Sequence, residues 1–480
     1  MAEMAIAKGP FEPTWTSLRQ FTCPDWFRDA KFGIWSHWGP QAVPMYGDWY
    51  ARHMYEEGHD QYRYHWRTYG HPSKIGYKEI VQMWKAEAFD PEGLMDLFVD
   101  AGAKYFVAQA AHHDNFHNWA STHHRWNAVN FGPKKDIVDL WARAARARGL
   151  RFGLSEHIGA SFHWNRPSKG ADTTGPYAGV PYDGNDPAFE DLYIPNKDYP
   201  DLRKGGGPWY TENPWWHERW YAYVKEIVDV FQPDLLYSDG GVPFGDWGLN
   251  IIAHLYNTSA ALHGQNEAVY NQKDRDPEVF AVGVLDLERS NQPDIRPFVW
   301  QTDTSVGDWF YNKRDVYKTP KHVVETLVDI VSKNGNLLLN IPQRPDGTLD
   351  DECMHIVTST ARWIKVNGEG IYGTRPWEKS GEGPSGVIID RFREDAVTWT
   401  TEDFRFTTKN GDVYAFMMKW AEGGTTAIRS LAQGAVPKVS AVTLLGTGPV
   451  PFKQTSRGLV IDLPEKKPCD YTQCFRVQFG

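Results

Sequence analysis

A chain of 480 residues is longer than one ordinary hydrophobic core, so two domains are expected. The formal net charge of -10 argues against a nucleic-acid partner held through phosphate contacts. No run of about 18 apolar residues is present, so no membrane span is expected. Four cysteines are too few for a disulfide framework, although Cys469 and Cys474 can either pair across a hairpin or stay as thiols. The first residues lack a signal-peptide apolar region. Localisation is therefore left open: soluble, periplasmic or secreted where a signal has been removed, cytoplasmic otherwise. A homo-oligomer is also left open. Aromatic residues make up 14% of the chain, 22 of them tryptophan, an excess that suits stacking against sugar rings.

In chain order, residues 31–37 form a short apolar strand that ends in His37, with Trp38-Gly39 as a turn signal and Asp48-Trp49-Tyr50 in the loop beyond. Residues 91–101 have helical periodicity, and Gly102 ends them. A second buried strand, 104–111, leads into His112-His113-Asp114-Asn115. Adjacent strand residues point to opposite faces, so both histidines can meet one ligand only if the strand has already ended. Metal ligation competes with sugar binding here, but the fixed His/Cys spacings of zinc sites are absent. The pair His123-His124 follows no strand and is expected at the surface. Residues 135–149 form an amphipathic helix with Arg143, Arg146 and Arg148 on its solvated face.

A third strand, 151–157, ends in Glu156 and His157. Residues 158–214 are too long for a plain connector and are expected to wall a site. An amphipathic helix, 216–231, precedes the strand 234–237, which runs through Tyr237 to Asp239-Gly240-Gly241. At the carboxyl end of a barrel strand a charged residue faces the active-site mouth. The alternative is that Asp239 caps the next helix, 249–263. Further strands are expected at 268–271, at 280–290 with Glu288 near its end, at 297–303 and at 336–341, with helices at 319–333 and 350–366. Trp309, Phe310 and Phe244 lie in segments expected to line the mouth, with Asp303 and Asp308 close to Trp309.

Six or seven strand–helix alternations point to an α/β fold, a (β/α)8-like TIM barrel, over residues 1–371. Beyond residue 372 short strands at 387–390, 396–400, 404–407, 413–417, 441–445 and 475–479 lack intervening helices, as expected of a C-terminal all-β sandwich.

Asp239 and Glu288, on different strands and ringed by His and Trp, form the constellation expected for glycoside hydrolysis: one carboxyl ionised as nucleophile, the other holding a proton. A barrel that only binds sugar would look similar. The order of motifs over residues 24–375 is specific: Trp26-Phe27, Ala30-Lys31-Phe32-Gly33-Ile34, His37-Trp38-Gly39, Val43-Pro44, Trp49-Tyr50, the run 101–107 into His112-His113-Asp114, Pro233-Asp234-Leu235 to Asp239, and Gly335 to Asn340. In this order they resemble the family-29 glycoside hydrolases, the α-L-fucosidases.

The resemblance implies a retaining mechanism with Asp239 as nucleophile, and His37, His112 and His113 holding sugar hydroxyls. Asp48, Trp49, His157, Tyr237 and Trp309 are further substrate-binding candidates. Glu288 is the acid/base candidate, with Glu156 as runner-up. The implied substrate is a fucosylated glycan, or an L-galactose-containing one, and neither cofactor nor metal is expected. The chain departs from the family's pattern at Tyr237-Ser238-Asp239, where Trp-x-Asp is frequent, at Asn115, where Gly is, and at Ser155-Glu156-His157, where Tyr-Tyr-Ser is.

Overall fold

The computed structural model describes residues 4–201, 207–387, 394 and 396–480. Eight parallel strands form one sheet: β1 (Phe32–Ser36), β2 (Tyr105–Ala111), β3 (Arg151–Glu156), β4 (Leu235–Ser238), β5 (Val269–Gln272), β6 (Val284–Leu285), β7 (Trp300–Ser305) and β8 (Gly335–Asn340). Their order is β6-β5-β4-β3-β2-β1-β8-β7, so each strand pairs with its sequence neighbour and β1 pairs with β8. The seam between β6 and β7 is closed by the single bridge Asp286–Gln301. This is the expected barrel.

Period-two alternation decides what each strand residue meets. Trp35, Tyr105, Val107, Leu235, Tyr237, Val269, Val284 and Leu338 pack together inside the barrel. Their neighbours Ile34, Phe106, Ala108, Leu236, Tyr270, Leu285, Leu337 and Leu339 pack outward against the helices. Those helices include Pro91–Asp100, Ile137–Ala147, Pro214–Phe231, Asp246–His263, Pro320–Ser332 and Asp351–Asn367. Among the described residues no helix is long and apolar enough to cross a membrane.

Two barrel expectations need correction. The strand foreseen at 280–290 is only Val284–Leu285, because Pro277–Phe280 forms a helical turn capped by the Asp276 side chain. His124 is buried rather than at the surface, its Nε2 2.9 Å from the Asn115 carbonyl. Of the three arginines assigned to a solvated face, Arg143 and Arg148 form ion pairs there, with Asp139 and with Glu92 and Asp96. Arg146 is exposed as well and reaches the Phe231 carbonyl.

The C-terminal part holds two antiparallel sheets, one in the order β14-β13-β17-β11-β10-β9 and one in the order β12-β16-β15. The strands are β9 (Arg375–Glu382), β10 (Phe404–Lys409), β11 (Asp412–Met417), β12 (Thr425–Ile428), β13 (Val439–Leu444), β14 (Gly448–Pro449), β15 (Phe452–Thr455), β16 (Gly458–Asp462) and β17 (Gln473–Phe479). Phe404, Phe406, Val413, Leu459, Ile461 and Phe475 share its separate core. Residues 396–400 form no strand, and the strand expected at 387–390 lies outside the described residues save for Val387, which is in none. Cys469 and Cys474 are free thiols.

Lys31, at the base of β1, is fully buried and its Nζ has no hydrogen-bond partner among the described residues. Burial, with Arg375 nearby, lowers its pKa from 10.5 to about 7. The folded chain therefore binds fewer protons than the unfolded one between these values, and stability rises with pH across that window. Lys31→Met should raise the melting temperature most below about pH 7 and least near about pH 10. Equal gains at both ends in a thermal-melt series would exclude the buried charge as the cause.

Candidate active site

The carboxyl ends of the strands open into a cavity of about 680 Å³. His37, Asp48, Trp49, His112, His113, His157, Tyr237, Asp239, Glu288 and Trp309 all line it, whereas the runner-up acid Glu156 and the aromatics Phe310 and Phe244 do not. His37 lies one residue past β1, and Asp48 and Trp49 lie in the following loop. His112 and His113 follow β2, and His157 follows β3. Asp239 follows β4, Glu288 lies beyond β6, and Trp309 lies beyond β7.

Strand parity sets Asp239. Leu235 and Tyr237 face inward, and Asp239 continues that face while its N–H still donates to the Glu156 carbonyl at 3.2 Å. Gly240 then turns at φ 125, and a Cβ there would lie 2.4 Å from the Tyr210 hydroxyl. Only glycine lets Tyr210 and Trp209 pack this close. The Trp209 indole donates to the Asp239 carbonyl at 2.7 Å. Thus the long 158–214 segment does wall the site.

At the barrel seam the same parity turns Val284, Asp286 and Glu288 inward, while Leu285 and Leu287 pack outward. Leu287 N–H donates to the Gln301 carbonyl and Arg289 N–H to that of Asp303, each at 2.9 Å. These bonds extend the short β6 alongside β7 and fix Glu288 at the mouth.

The centre of the cavity is a lysine that the sequence reading did not select. Lys273 Nζ lies 2.7 Å from Asp239 Oδ1, 2.5 Å from Glu288 Oε2 and 3.8 Å from Asp303 Oδ2. The Asp239 and Glu288 oxygens are thus no farther apart than the sum of the first two distances. That places them within the ~5–5.5 Å typical of a retaining pair. On the other side of Asp239, Oδ2 lies 3.4 Å from His113 Nε2 and 3.5 Å from His157 Nδ1. His113 Nδ1 donates to the His157 carbonyl at 2.6 Å, an acceptor that fixes the proton on that nitrogen.

Electrostatics separates the two carboxyls. Burial alone would raise Asp239, but the Lys273 ammonium, with the His113 and His157 rings against its other oxygen, holds it well below the usual carboxylate range. Burial raises Glu288 above its ordinary value; Lys273 opposes this, while Asp303 and Asp239 reinforce it. Burial keeps His37 and His112 well below the ordinary histidine value and lowers His157 as well. Burial, with Asp308 nearby, raises Asp48. His37 Nδ1, His157 Nε2 and Asp48 Oδ1 have no hydrogen-bond partner among the described residues. Ring nitrogens and a carboxyl oxygen left without partners are suited to holding hydroxyl groups.

His37, His112 and His157 could also hold a metal ion, as could His113, His157 and Asp239, the ligand atoms of each set lying within 4.8 Å of one another. Lys273 already supplies the positive charge beside Asp239.

Glu156 lies outside the cavity lining. Ser155 points inward to the Trp35 indole, so Glu156 points to the helix layer, where Trp220 Nε1 donates at 3.1 Å and Gly159 N at 3.3 Å. Burial pushes it up to about 7. Phe310 packs under His37 and His112 rather than on the cavity wall, and Phe244 stacks on His217 away from it. Asn115 has φ 62, the left-handed region that Gly and Asn tolerate best, and its side chain donates to the Asp191 and Leu192 carbonyls.

Comparison with known proteins agrees with this geometry. The family model described as Alpha-L-fucosidase matches residues 1–369, and that described as Alpha-L-fucosidase C-terminal domain matches residues 398–478. The tissue alpha-L-fucosidase of Mus musculus is 28% identical over 479 residues, covering 97% of this chain and 93% of its own. That of Rattus norvegicus is 29% identical, covering 96% of this chain and 90% of its own. The crystal structure of Thermotoga maritima alpha-fucosidase in complex with fucose superposes with a TM-score of 0.74 at 27% identity, covering 98% of this chain and all of that one.

Proposed function

The chain belongs to the alpha-L-fucosidase family of glycoside hydrolases, and from that premise we propose that it removes terminal α-L-fucosyl residues from glycans by a retaining, double-displacement mechanism. The observation that carries the mechanism is the single ammonium of Lys273, within hydrogen-bond reach of both Asp239 and Glu288 at the cavity floor.

Asp239, kept ionised by Lys273, attacks the anomeric carbon and forms a glycosyl ester. Glu288, kept protonated by burial, gives its proton to the departing oxygen. In the second step Glu288, now a carboxylate, takes a proton from water, which cleaves the ester and restores both groups. His37, His112, His113, His157 and Asp48 hold sugar hydroxyls, Tyr237 supports the floor, and Trp49 and Trp309 supply flat apolar surface. Asp239→Gly should lose at least about 10³-fold in kcat. Azide should partly restore turnover, giving a glycosyl azide of inverted configuration. Near-normal activity without azide would remove Asp239 from the role.

A general acid matters most when the leaving group is basic. Glu288→Ala should cost about 10²–10⁴-fold on natural glycosides and far less on activated aryl glycosides. Glu156→Gln should show no such selectivity, because its carboxyl faces the helices. If the selectivity appears instead in the Glu156 variant, the acid is on the other side of the barrel wall.

The sugar itself is tested with matched aryl α-L-fucoside and α-L-galactoside. These substrates differ at C6, methyl against hydroxymethyl, and an apolar wall discriminates against an added hydroxyl by only about 10²-fold. A higher kcat/KM for the fucoside is expected. Preference for the galactoside would overturn the fucose reading and leave the retaining barrel in place.

A further inference from the structure

Four carboxyl groups surround one ammonium at the barrel seam. Beyond Asp239 and Glu288 these are Asp286 and Asp303, both fully buried. Neither belongs to the acid–nucleophile pair, and only Asp303 reaches the cavity. Asp286 Oδ2 accepts from Gln301 Nε2 at 2.6 Å, and Gln301 Oε1 in turn accepts from the Tyr105 hydroxyl at 2.7 Å. Asp303 Oδ2 accepts from the Tyr237 hydroxyl at 3.0 Å and faces Lys273.

The remaining oxygens, Asp286 Oδ1 and Asp303 Oδ1, are buried and have no donor among the described residues. Were both carboxyls ionised, the one Lys273 ammonium, which faces Asp303, would leave the Asp286 charge unpaired in a medium that penalises it. A proton between them removes the problem, as in any carboxyl pair too close for both to ionise. The donor set identifies the holder. Asp286 meets only Gln301 and Asp303, whereas Asp303 has both the Tyr237 hydroxyl and the Lys273 ammonium to stabilise a negative charge.

We propose that Asp286 keeps its proton and donates it to Asp303, and that the Asp303 carboxylate so held is a positioning residue that keeps Glu288 protonated as the acid. The route is through Lys273. The ammonium draws Glu288 toward ionisation, and a second carboxylate facing the same ammonium offsets that pull. Burial followed by Asp303 raises Asp286 well above its ordinary value, which agrees with a proton held there. The charged and titratable groups facing this cluster are Lys273 from the end of β5, Asp239 and Tyr237 from β4, and Glu288 and Asp286 from the seam. His113 and His157 reach it only through Asp239.

This inference rests on Glu288 being the acid, and its test separates the two. The readout is the alkaline limb of the kcat/KM–pH profile on a substrate with a basic leaving group, a position that does not depend on how much of a variant folds. Asp303→Asn removes the offsetting charge and should move the limb about one unit to lower pH. Asp286→Asn replaces an O–H donor by an N–H donor to the same oxygen and should leave the limb in place. An unmoved limb in Asp303→Asn overturns the proposal. So does an Asp286→Asn limb that moves as far as that of Asp303→Asn, because Asp286 would then be ionised. Failure of the underlying reading is seen separately: Glu288→Ala, assayed on an activated aryl glycoside, would then keep the limb that it is expected to lose.

Discussion

The site is organised around one ammonium shared by two carboxylates. Two acidic groups this close in a buried cavity repel each other, and without a cation one of them would take up a proton whatever its role. Lys273 resolves the conflict asymmetrically. Asp239 has it together with two histidines and stays ionised, while Glu288 has it against burial and the field of Asp303. The same lysine thereby leaves one carboxyl shifted down and the other shifted up, a difference of the kind that a nucleophile and an acid need.

The barrel is what makes that arrangement constructible. Asp239, Lys273 and Glu288 come from the ends of three successive strands, and each end is tied to a neighbour by backbone hydrogen bonds. Lys273 N donates to the Gly240 carbonyl at 2.5 Å, so the residue after Asp239 also positions its counter-ion. The seam is the exception to the regular ladder. With β6 only two residues long, residues 286–289 are held by a single bridge and by bonds to β7. Glu288 therefore stands at the least regular point of the barrel, where the chain can carry an inward carboxyl group at both 286 and 288.

Most of the barrel was legible because its strands are buried on both faces and end in charged or aromatic residues next to turn signals. His37, His112, His157 and Asp239 all announced themselves this way. Lys273 obeys the same rule, following the strand 268–271 by two residues, but a lysine after a strand also suits a solvated turn, and only its partners reveal it. Glu156 illustrates the converse. It ends a strand as Asp239 does, yet parity turns it outward, and parity counts from the interior residues of a strand whose start the sequence leaves uncertain. The 280–290 run was misread because its apolar residues serve first a helical turn and then a two-residue strand. Trp209 and Tyr210 lie in a segment with no periodicity, so that it walls the site was foreseeable but which of its residues do so was not.

The C-terminal sheets are connected to the same seam. Asp329, on the 320–332 helix, is buried and accepts from Lys333 at 2.7 Å and from Arg405 of β10 at 2.6 Å. Its Oδ2 also accepts from Asn291 Nδ2 at 2.8 Å, three residues beyond Glu288. A buried carboxylate with two cations and an amide donor has its charge met, whereas removal of one partner would leave a buried charge uncompensated at a cost of about 3–5 kcal/mol. Arg405 is thus both an anchor of the β-sandwich on the barrel and a member of the network that holds the chain following Glu288. The segment at the seam has few ladder bonds of its own, so its rigidity depends on such contacts. The C-terminal sheets are, in this physical sense, part of the scaffold of the candidate site although none of their described residues lines the cavity.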